Sequence, residues 1–322
     1  MNCLKHLILV QFVLALFLVG TPSAFALTLS PVKVEVTGNP GDTLRGELEL
    51  MNEQSFTKSY FSSFENFEPS GDTGSPRFIG AEDGLATWLH TDDSFTIGEG
   101  ESIKIPYIIN IPANAEPGGY FAAIFWGEDN PKAEKGGEVS IGGKLGVLIL
   151  LRVAGDISEE AGIKEFATVN AQKLFAYLPI SFTYRFRNDG GDRVVPLGDI
   201  VVKNMFGATA ATLKANETEG SVLPNSTRKF TVTWGTPLKE ATESSFIQTV
   251  KNQASDFHFG YYTANLSVMY GVANKTSESH LWFVMIPWQL LLVIAGVLGS
   301  LWFMLRLYTK WVIAKSKATS NL

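Results

Sequence analysis

The chain has 322 residues, 32 acidic and 26 basic, with a net charge of −6 at pH 7 and 45% hydrophobic residues. Residues 27–280 hold all 32 acids against 21 bases, about −11, which excludes binding to nucleic acid, anionic lipid or wall polymers through clustered Lys and Arg. A single cysteine, Cys3, excludes an intramolecular disulfide, and the four histidines are not spaced as metal ligands.

Residues 1–26 read as a secretory signal: Lys5, an apolar stretch from Leu7 to Val19, and small residues at Ala24 and Ala26 ahead of a cut. Period-two segments follow. In "VKVEV" the inward set is Val32, Val34 and Val36; in "LRGELEL" it is Leu44, Leu48 and Leu50; in "SIKIPYIINI" it is Ile103, Ile105, Tyr107, Ile109 and Ile111. "YFAAIFW" (Tyr120–Trp126) is apolar on both faces and reads as a central strand, and "GVLILLRV" (Gly146–Val153) as a buried one.

The second half repeats the habit in "ISFTYRF" (Ile180, Phe182, Tyr184, Phe186), "KFTVTW" (Phe230, Val232, Trp234) and "YTANLSVMY" (Tyr262 to Tyr270). "AEPGGYFAAIFWG" (115–127) and "FHFGYYTANLSVMYG" (257–271) are near echoes, each with a strand entered through glycine and preceded by a turn and an alternating strand. Strands at even spacing without alternating helices predict an all-β chain of two related antiparallel β-sandwich domains, 27–155 and 156–279.

Two segments lack the strand pattern. Ser63–Gly84 reads as a long glycine-rich connection, and its Phe64, Phe67 and Phe78 are candidate exposed ligand contacts. Residues 236–257 form a polar insertion in which Phe246, Ile247 and Val250 predict one short helix.

Leu281–Leu305 is an apolar run long enough to cross a hydrocarbon core of about 30 Å as a transmembrane α-helix. Trp282 and Trp288 are expected at its outer edge, and Trp302, Arg306 and Lys310 at its inner one. The tail, 306–322, holds four cations and no acid, which places it in the cytoplasm and residues 27–280 outside the cell.

No catalytic motif emerges. Asp72-Thr73-Gly74-Ser75 spells the aspartic-protease tetrad, but it follows a turn sequence and has no second copy. His90, His258 and His280 each stand alone, the acidic turn 188–193 lacks calcium-loop spacing, and no cofactor or metal is expected. Four Asn-x-Ser/Thr triplets begin at Asn216, Asn225, Asn265 and Asn274.

"WLHTDDSFTIGEGESIKIPYIINIPANAEPGGYFAAIFW" (88–126) resembles the first extracellular domain of the WxL-interacting protein family of bacterial cell surfaces, through its W-L start, G-E-S turn, alternating strand and P-G-G-Y exit. The order of signal, two domains, one span and basic tail is also similar, and 186–234 resembles a membrane-proximal module of bacterial surface proteins. The resemblance implies two immunoglobulin-like domains, a first domain that engages cell-wall peptidoglycan, and a second that engages another surface protein. No ligand-contacting residue carries over.

The expected function is that of a non-enzymatic, membrane-anchored cell-surface binding protein. The alternative is a pilus-chaperone-like assembly factor acting by edge-strand donation.

Overall fold

The structure, a computed structural model, describes residues 27–128, 143–236 and 245–319. Ala24 and Ala26 of the expected signal site lie outside them. The chain divides into two compact units: Met1–Phe67 with Phe78–Glu116 and Tyr120–Ala154, and Glu68–Arg77 with Pro117–Gly119 and Gly155–Leu322.

The first unit is built from β1 (Leu27–Ser30), β2 (Lys33–Gly38), β3 (Thr43–Asn52), β4 (Lys58–Ser70), β5 (Ser75–Gly80), a short helix α1 (Gly84–Trp88), β6 (Leu89–Thr91), β7 (Ser94–Ile97), β8 (Ser102–Asn110), β9 (Gly118–Gly127) and β10 (Lys144–Val153), except that the β4–β5 tip, 68–77, and the start of β9, 118–119, group with the second. One sheet has the order β1-β3-β8-β6 and the other β2-β10-β9-β4-β5, with β7 also on β4. The alternation seen in the sequence is the reason they pack. Leu48, Leu50, Ile105, Tyr107 and Ile109 face inward from the first sheet, and Ala122, Ile124, Trp126, Ile149 and Leu151 from the second. Each fully buried Ile or Leu contributes about 1.5–3 kcal/mol relative to exposure.

The second unit repeats this plan with β11 (Ala161–Thr168), β12 (Leu174–Phe175), β13 (Ile180–Asn188), β14 (Leu197–Asn204), β15 (Thr209–Lys214), β16 (Ser226–Trp234), α2 (Phe246–Ser255), β17 (Gly260–Tyr270) and β18 (Lys275–Met285). Its sheets run β11-β13-β16 and β12-β18-β17-β14-β15. In both units the first strand divides between the sheets. β1 and β11 pair antiparallel with β3 and β13, whereas β2 and β12 pair parallel with the last strands, β10 and β18. The two sequence echoes are therefore one element, the next-to-last strand, β9 and β17. Each is entered at a glycine of positive φ, Gly118 (+151°) and Gly260 (+100°), where a side chain is strained. The chain is all-β, with two immunoglobulin-like sandwiches and one long apolar helix.

A buried asparagine ends the same strand in both units. Asn52 closes β3 and Asn188 closes β13, and neither side chain touches solvent. Asn52 Oδ1 accepts from Gln54 N (3.1 Å), while Nδ2 donates to the carbonyls of Phe56 and Gly98 (2.9 Å each). Asn188 Oδ1 accepts from Gly190 N (2.9 Å), while Nδ2 donates to the carbonyls of Asp192 (2.7 Å) and Val222 (2.9 Å). Gly98 and Val222 each lie four positions before their next core strand, β8 and β16, so one amide side chain ties two distant turns together in each sandwich.

Ser63–Gly84 is not the connection the sequence suggested. β4 runs to Ser70, Gly71–Gly74 makes the turn, β5 returns and α1 follows. The strand gives no period-two signal because aromatic and polar residues mix on both its faces: Tyr60 and Phe64 face the core beside Ser62 and Asn66, and Phe67 faces outward beneath β5 beside Ser63 and Glu65.

The run Leu281–Leu305 also divides. Its first five residues complete β18, pairing Leu281–Met285 with Ala264–Gly260 of β17, so the second sandwich extends past residue 279. A helix, α3, spans Trp288–Thr319, and its Trp288–Trp311 stretch is long and apolar enough to cross a membrane. Trp282 is thus a strand residue, stacked with Tyr261 (5.9 Å) under Lys173 Nζ (4.4 Å). Trp288, Trp302, Arg306 and Lys310 lie on α3, with the Arg306 guanidinium 4.6 Å from the Trp302 ring. An apolar strand end running into an apolar helix leaves no boundary in hydropathy.

The expected short helix is α2, yet its packed residues are Thr249 and Gln253, while Phe246 and Ile247 are exposed. Gln253 Oε1 accepts from Leu290 N in the first turn of α3 (2.8 Å), and Nε2 donates to the Ala176 carbonyl (3.2 Å) and to Gln289 Oε1 (2.5 Å). One buried glutamine thereby binds α2 and the loop after β12 to the start of α3.

Replacing Asn52 or Asn188 by Leu keeps the branching but adds volume and removes the partner of one N–H and of the Phe56 or Asp192 carbonyl, while the Gly98 and Val222 carbonyls keep Glu101 N–H and Val194 N–H; each change is expected to lower unfolding stability by about 2–4 kcal/mol. Urea unfolding of each single variant checks this; a change under about 0.5 kcal/mol would show that the knot is not holding the turns.

Candidate functional site

Among the described residues no group of three His, Cys, Asp or Glu side chains is placed to hold a metal. His90 and His280 are exposed on separate strands, and His258 Nδ1 lies 3.3 Å from Asp256 Oδ1 with its ring edge-on to Trp234 (4.9 Å). Asp72 sits in the turn between β4 and β5, paired within the second unit with Arg185 (3.0 Å), and Thr73 Oγ1 donates to Ser75 Oγ (3.1 Å). The tetrad is a hairpin turn. Likewise the acidic turn 188–193 is consumed by its own asparagine, and Asp192 Oδ1 accepts from Arg193 N (2.7 Å). Of the four glycosylation triplets, Asn216 is buried, with Nδ2 on the Pro196 and Gly220 carbonyls (3.2 and 3.0 Å), whereas Asn225, Asn265 and Asn274 are exposed.

The three candidate phenylalanines part company. Phe64 packs against the core of the first sandwich. Phe67 is 7% exposed on the opposite face of the sheet, with Phe121 at 5.9 Å and Phe78 at 6.1 Å. Phe78, from β5, closes edge-on over Phe125 of β9 (4.8 Å) and keeps 37% exposure, with Ile79 beside it at 55%. Of the three, only Phe78 and its neighbour offer a reachable apolar surface; the rings below serve as its support.

The second sandwich has an opening that no sequence motif announced. In the first unit, β8 is covered along its outer edge by β6, through Leu89↔Ile109, His90↔Ile108 and Thr91↔Tyr107. Among the described residues the equivalent strand of the second unit, β16, pairs with β13 alone, because residues 215–225 join β15 to β16 without a strand. Between β15 and β16 lies a groove of about 690 Å³, lined by Leu213, Ala215, Arg228, Phe230, Val232 and neighbouring threonines. That volume falls within the roughly 300–1,000 Å³ typical of ligand clefts. Lys229 N–H already leaves the β13 ladder for the Asp72 carbonyl (2.7 Å), so by strand alternation the N–H groups of Thr231 and Thr233 also point outward.

The floor of this groove is rigid. Tyr184 of β13 donates its hydroxyl to the Ala215 carbonyl (3.1 Å), and its ring stacks on Phe230 at 4.8 Å and 13°. The Arg228 guanidinium lies 5.4 Å from the Phe230 ring and donates to the Ser221 carbonyl (2.9 Å). Burial raises the Tyr184 hydroxyl well above its ordinary pKa and lowers the Arg228 guanidinium. The apolar walls suit side chains, and the outward amides suit a peptide backbone.

A phenol whose folded pKa is raised stabilises the fold fully below its unfolded pKa of about 10, and that contribution is lost as pH climbs from there toward the folded value. The parent chain should therefore lose stability above about pH 10, by up to about 1.4 kcal/mol per pH unit, while Tyr184→Phe should show a shallower fall after an initial loss of about 1 kcal/mol. Unfolding midpoints between pH 8 and 11 test this, and parallel slopes would refute it.

No family model matches the chain, and no curated protein matches it. Among solved structures it is similar to the class 5 fimbriae chaperone CfaA, at 12% identity over 80% of this chain and 99% of that one, with a TM-score of 0.38. It is also similar to the E. coli chaperone DraB (13%, 81% and 97%, 0.35) and to a structure of the Salmonella enterica SafA pilin in complex with the SafB chaperone (12%, 82% and 98%, 0.35). At these identities and scores, no residue role passes from those proteins to this chain.

Proposed function

We propose that the chain is a non-enzymatic, membrane-anchored binding protein of the cell surface, of the WxL-interacting kind. In this reading α3 spans the membrane with its basic end in the cytoplasm, the first sandwich meets peptidoglycan, and the second holds a protein partner in extended form. The observation that carries the protein partner is the outer edge of β16 at Thr231 and Thr233, which no described strand covers, beside the groove it shares with β15; at Lys229 the edge is already taken by the Asp72 carbonyl. An incoming strand would gain backbone hydrogen bonds from Thr231 and Thr233 and place alternate side chains against Phe230 and Val232.

Anchoring rests on α3 and on its short connection to β18 through Ile286 and Pro287. With an ectodomain near −11, attachment to anionic wall polymers by bulk charge is disfavoured, so binding through shape and backbone pairing is the consistent route. The same open edge favours a second reading, an assembly factor that holds a client's strand by augmentation.

Thr231→Pro removes one outward N–H and is tolerated on an edge strand. Full-length protein in detergent, offered purified sacculi and separately a surface-protein extract, should retain its protein partner about tenfold more weakly or worse as Thr231→Pro, a loss of about 1.4 kcal/mol. Sacculus binding should be unchanged, and circular dichroism should report an intact fold. Undiminished capture of the partner by the variant would end the strand-addition reading; absence of sacculus binding in the parent chain would end the peptidoglycan reading.

A further inference from the structure

The exposed apolar residues of the second unit gather at one end. β14 ends at Asn204 opposite Tyr262, and β17 begins at Gly260 opposite Met285, the last residue of β18 before α3. At this end the turn after β14 presents Phe206 at 85% exposure beside Met205, and a Cβ placed on Gly260 would collide with Met205 Cε. The segment entering β17 presents Phe257 and Phe259, stacked at 6.4 Å and 13°, and α2 presents Phe246 and Ile247. Tyr261 and Trp282 stack on the adjoining sheet face, with Lys173 over the indole. These residues come from separate connections, yet all lie where α3 leaves the sandwich.

That placement matters because the helix is not on a loose tether. β18 continues to Met285, Ile286 N–H donates to the Phe175 carbonyl (2.8 Å), Trp288 N–H to the Ile286 carbonyl (2.8 Å), and Gln253 caps Leu290. The membrane-crossing stretch begins at Trp288, immediately past these bonds. Apolar loop tips beside a fixed point of membrane entry are held at the depth of the lipid headgroups, where aromatic rings gain burial and amphipathic Lys and Trp side chains find both phases. Left in water, a contiguous apolar patch of this kind is unfavourable.

We infer that the second sandwich is seated on the bilayer through these tips: the Met205–Phe206 turn, the Ile247 side of α2 and the Phe257–Phe259 segment enter the lipid interface around α3. The inference rests on the reading of α3 as a membrane span. It adds that the domain is fixed on the membrane in one attitude instead of swinging from a linker.

The test uses the full chain with Cys3→Ser, reconstituted in phosphatidylcholine and phosphatidylglycerol vesicles. An environment-sensitive fluorophore is attached singly at Phe206→Cys, at Leu298→Cys within α3, or at Val272→Cys in the exposed turn at the other end of β17. Brominated lipids carrying bromine near the headgroup, or deep in the acyl chain, are the quenchers. The label at 206 should show blue-shifted emission and be quenched by the shallow lipid, that at 298 by the deep one, and that at 272 by neither. A label at 206 as unquenched as that at 272, with 298 still quenched, would overturn the seating while sparing the anchor. An unquenched label at 298 would overturn both.

Discussion

Each sandwich depends on an asparagine with no access to water. A buried amide side chain costs several kcal/mol unless its donors and acceptor are paired, and here the pairing is what fixes the fold. Asn52 and Asn188 accept from the residue two positions on, donate to the carbonyl four positions on, and donate again across to the turn before the next core strand. The last bond is decisive, because it sets the distance between the end of one strand and the start of its hydrogen-bonded neighbour, and so the register of β3 on β8 and of β13 on β16. With that register fixed, the alternate apolar residues of all four strands face inward together.

The second constraint is what happens at the sheet edges. In both units the first strand changes sheet partway, so one short stretch of chain shields an edge of each sheet: β1 and β11 border β3 and β13, and β2 and β12 border β10 and β18. The remaining edges are treated differently. The first unit adds β6 to β8 and β7 to β4, whereas among the described residues of the second β16 pairs with β13 alone. An unpaired edge is a template for another strand, which a protein ordinarily blunts. The first copy closes this edge with β6; in the second, among the described residues, the Asp72 carbonyl reaches it at Lys229 and the Thr231–Thr233 stretch stays uncovered above a floor braced by Tyr184 and Phe230.

Much of this was legible in the sequence, and the parts that were not share a cause. Where one face is apolar and the other polar, as in 103–111, 180–186 and 262–270, period two shows each strand and its inward side. Where polar and aromatic residues mix on both faces, as in β4, the pattern vanishes and the glycines of a hairpin turn resemble those of a loop. The apolar end of β18 merges with α3 because hydropathy does not change between them, which drew Trp282 into the expected span. The asparagines do leave a trace: Leu48, Leu50, Asn52 and Tyr184, Phe186, Asn188 keep period two, so each Asn occupies an inward position. What no local pattern reveals is the far partner, Gly98 or Val222, or the missing cover on β16, since both are defined by strands distant in sequence.

The two surfaces of the second unit bear on each other through strand direction. β16 ends at Trp234, whose ring meets His258 at 4.9 Å and Tyr262 at 5.9 Å, beside the point where α3 begins, and it starts at Ser226 at the opposite end. The strand therefore runs from the α3 end of the sandwich to the end away from it, and its edge is uncovered by described residues only in the half nearer α3. With the sandwich seated on a bilayer by its loop tips, a strand added along β16 would rise from the lipid surface instead of lying along it. Edge pairing has two polarities, and the antiparallel one requires the partner to run from the Ser226 end at its C-terminus to the Trp234 end at its N-terminus, or the reverse for a parallel addition. The Ser226 half of that edge is occupied by the turn between β4 and β5, whose Asp72 carbonyl accepts from Lys229 N–H and whose Gly74 lies against Arg228, so an added strand of either polarity has room only along Thr231–Trp234, the part nearest the start of α3.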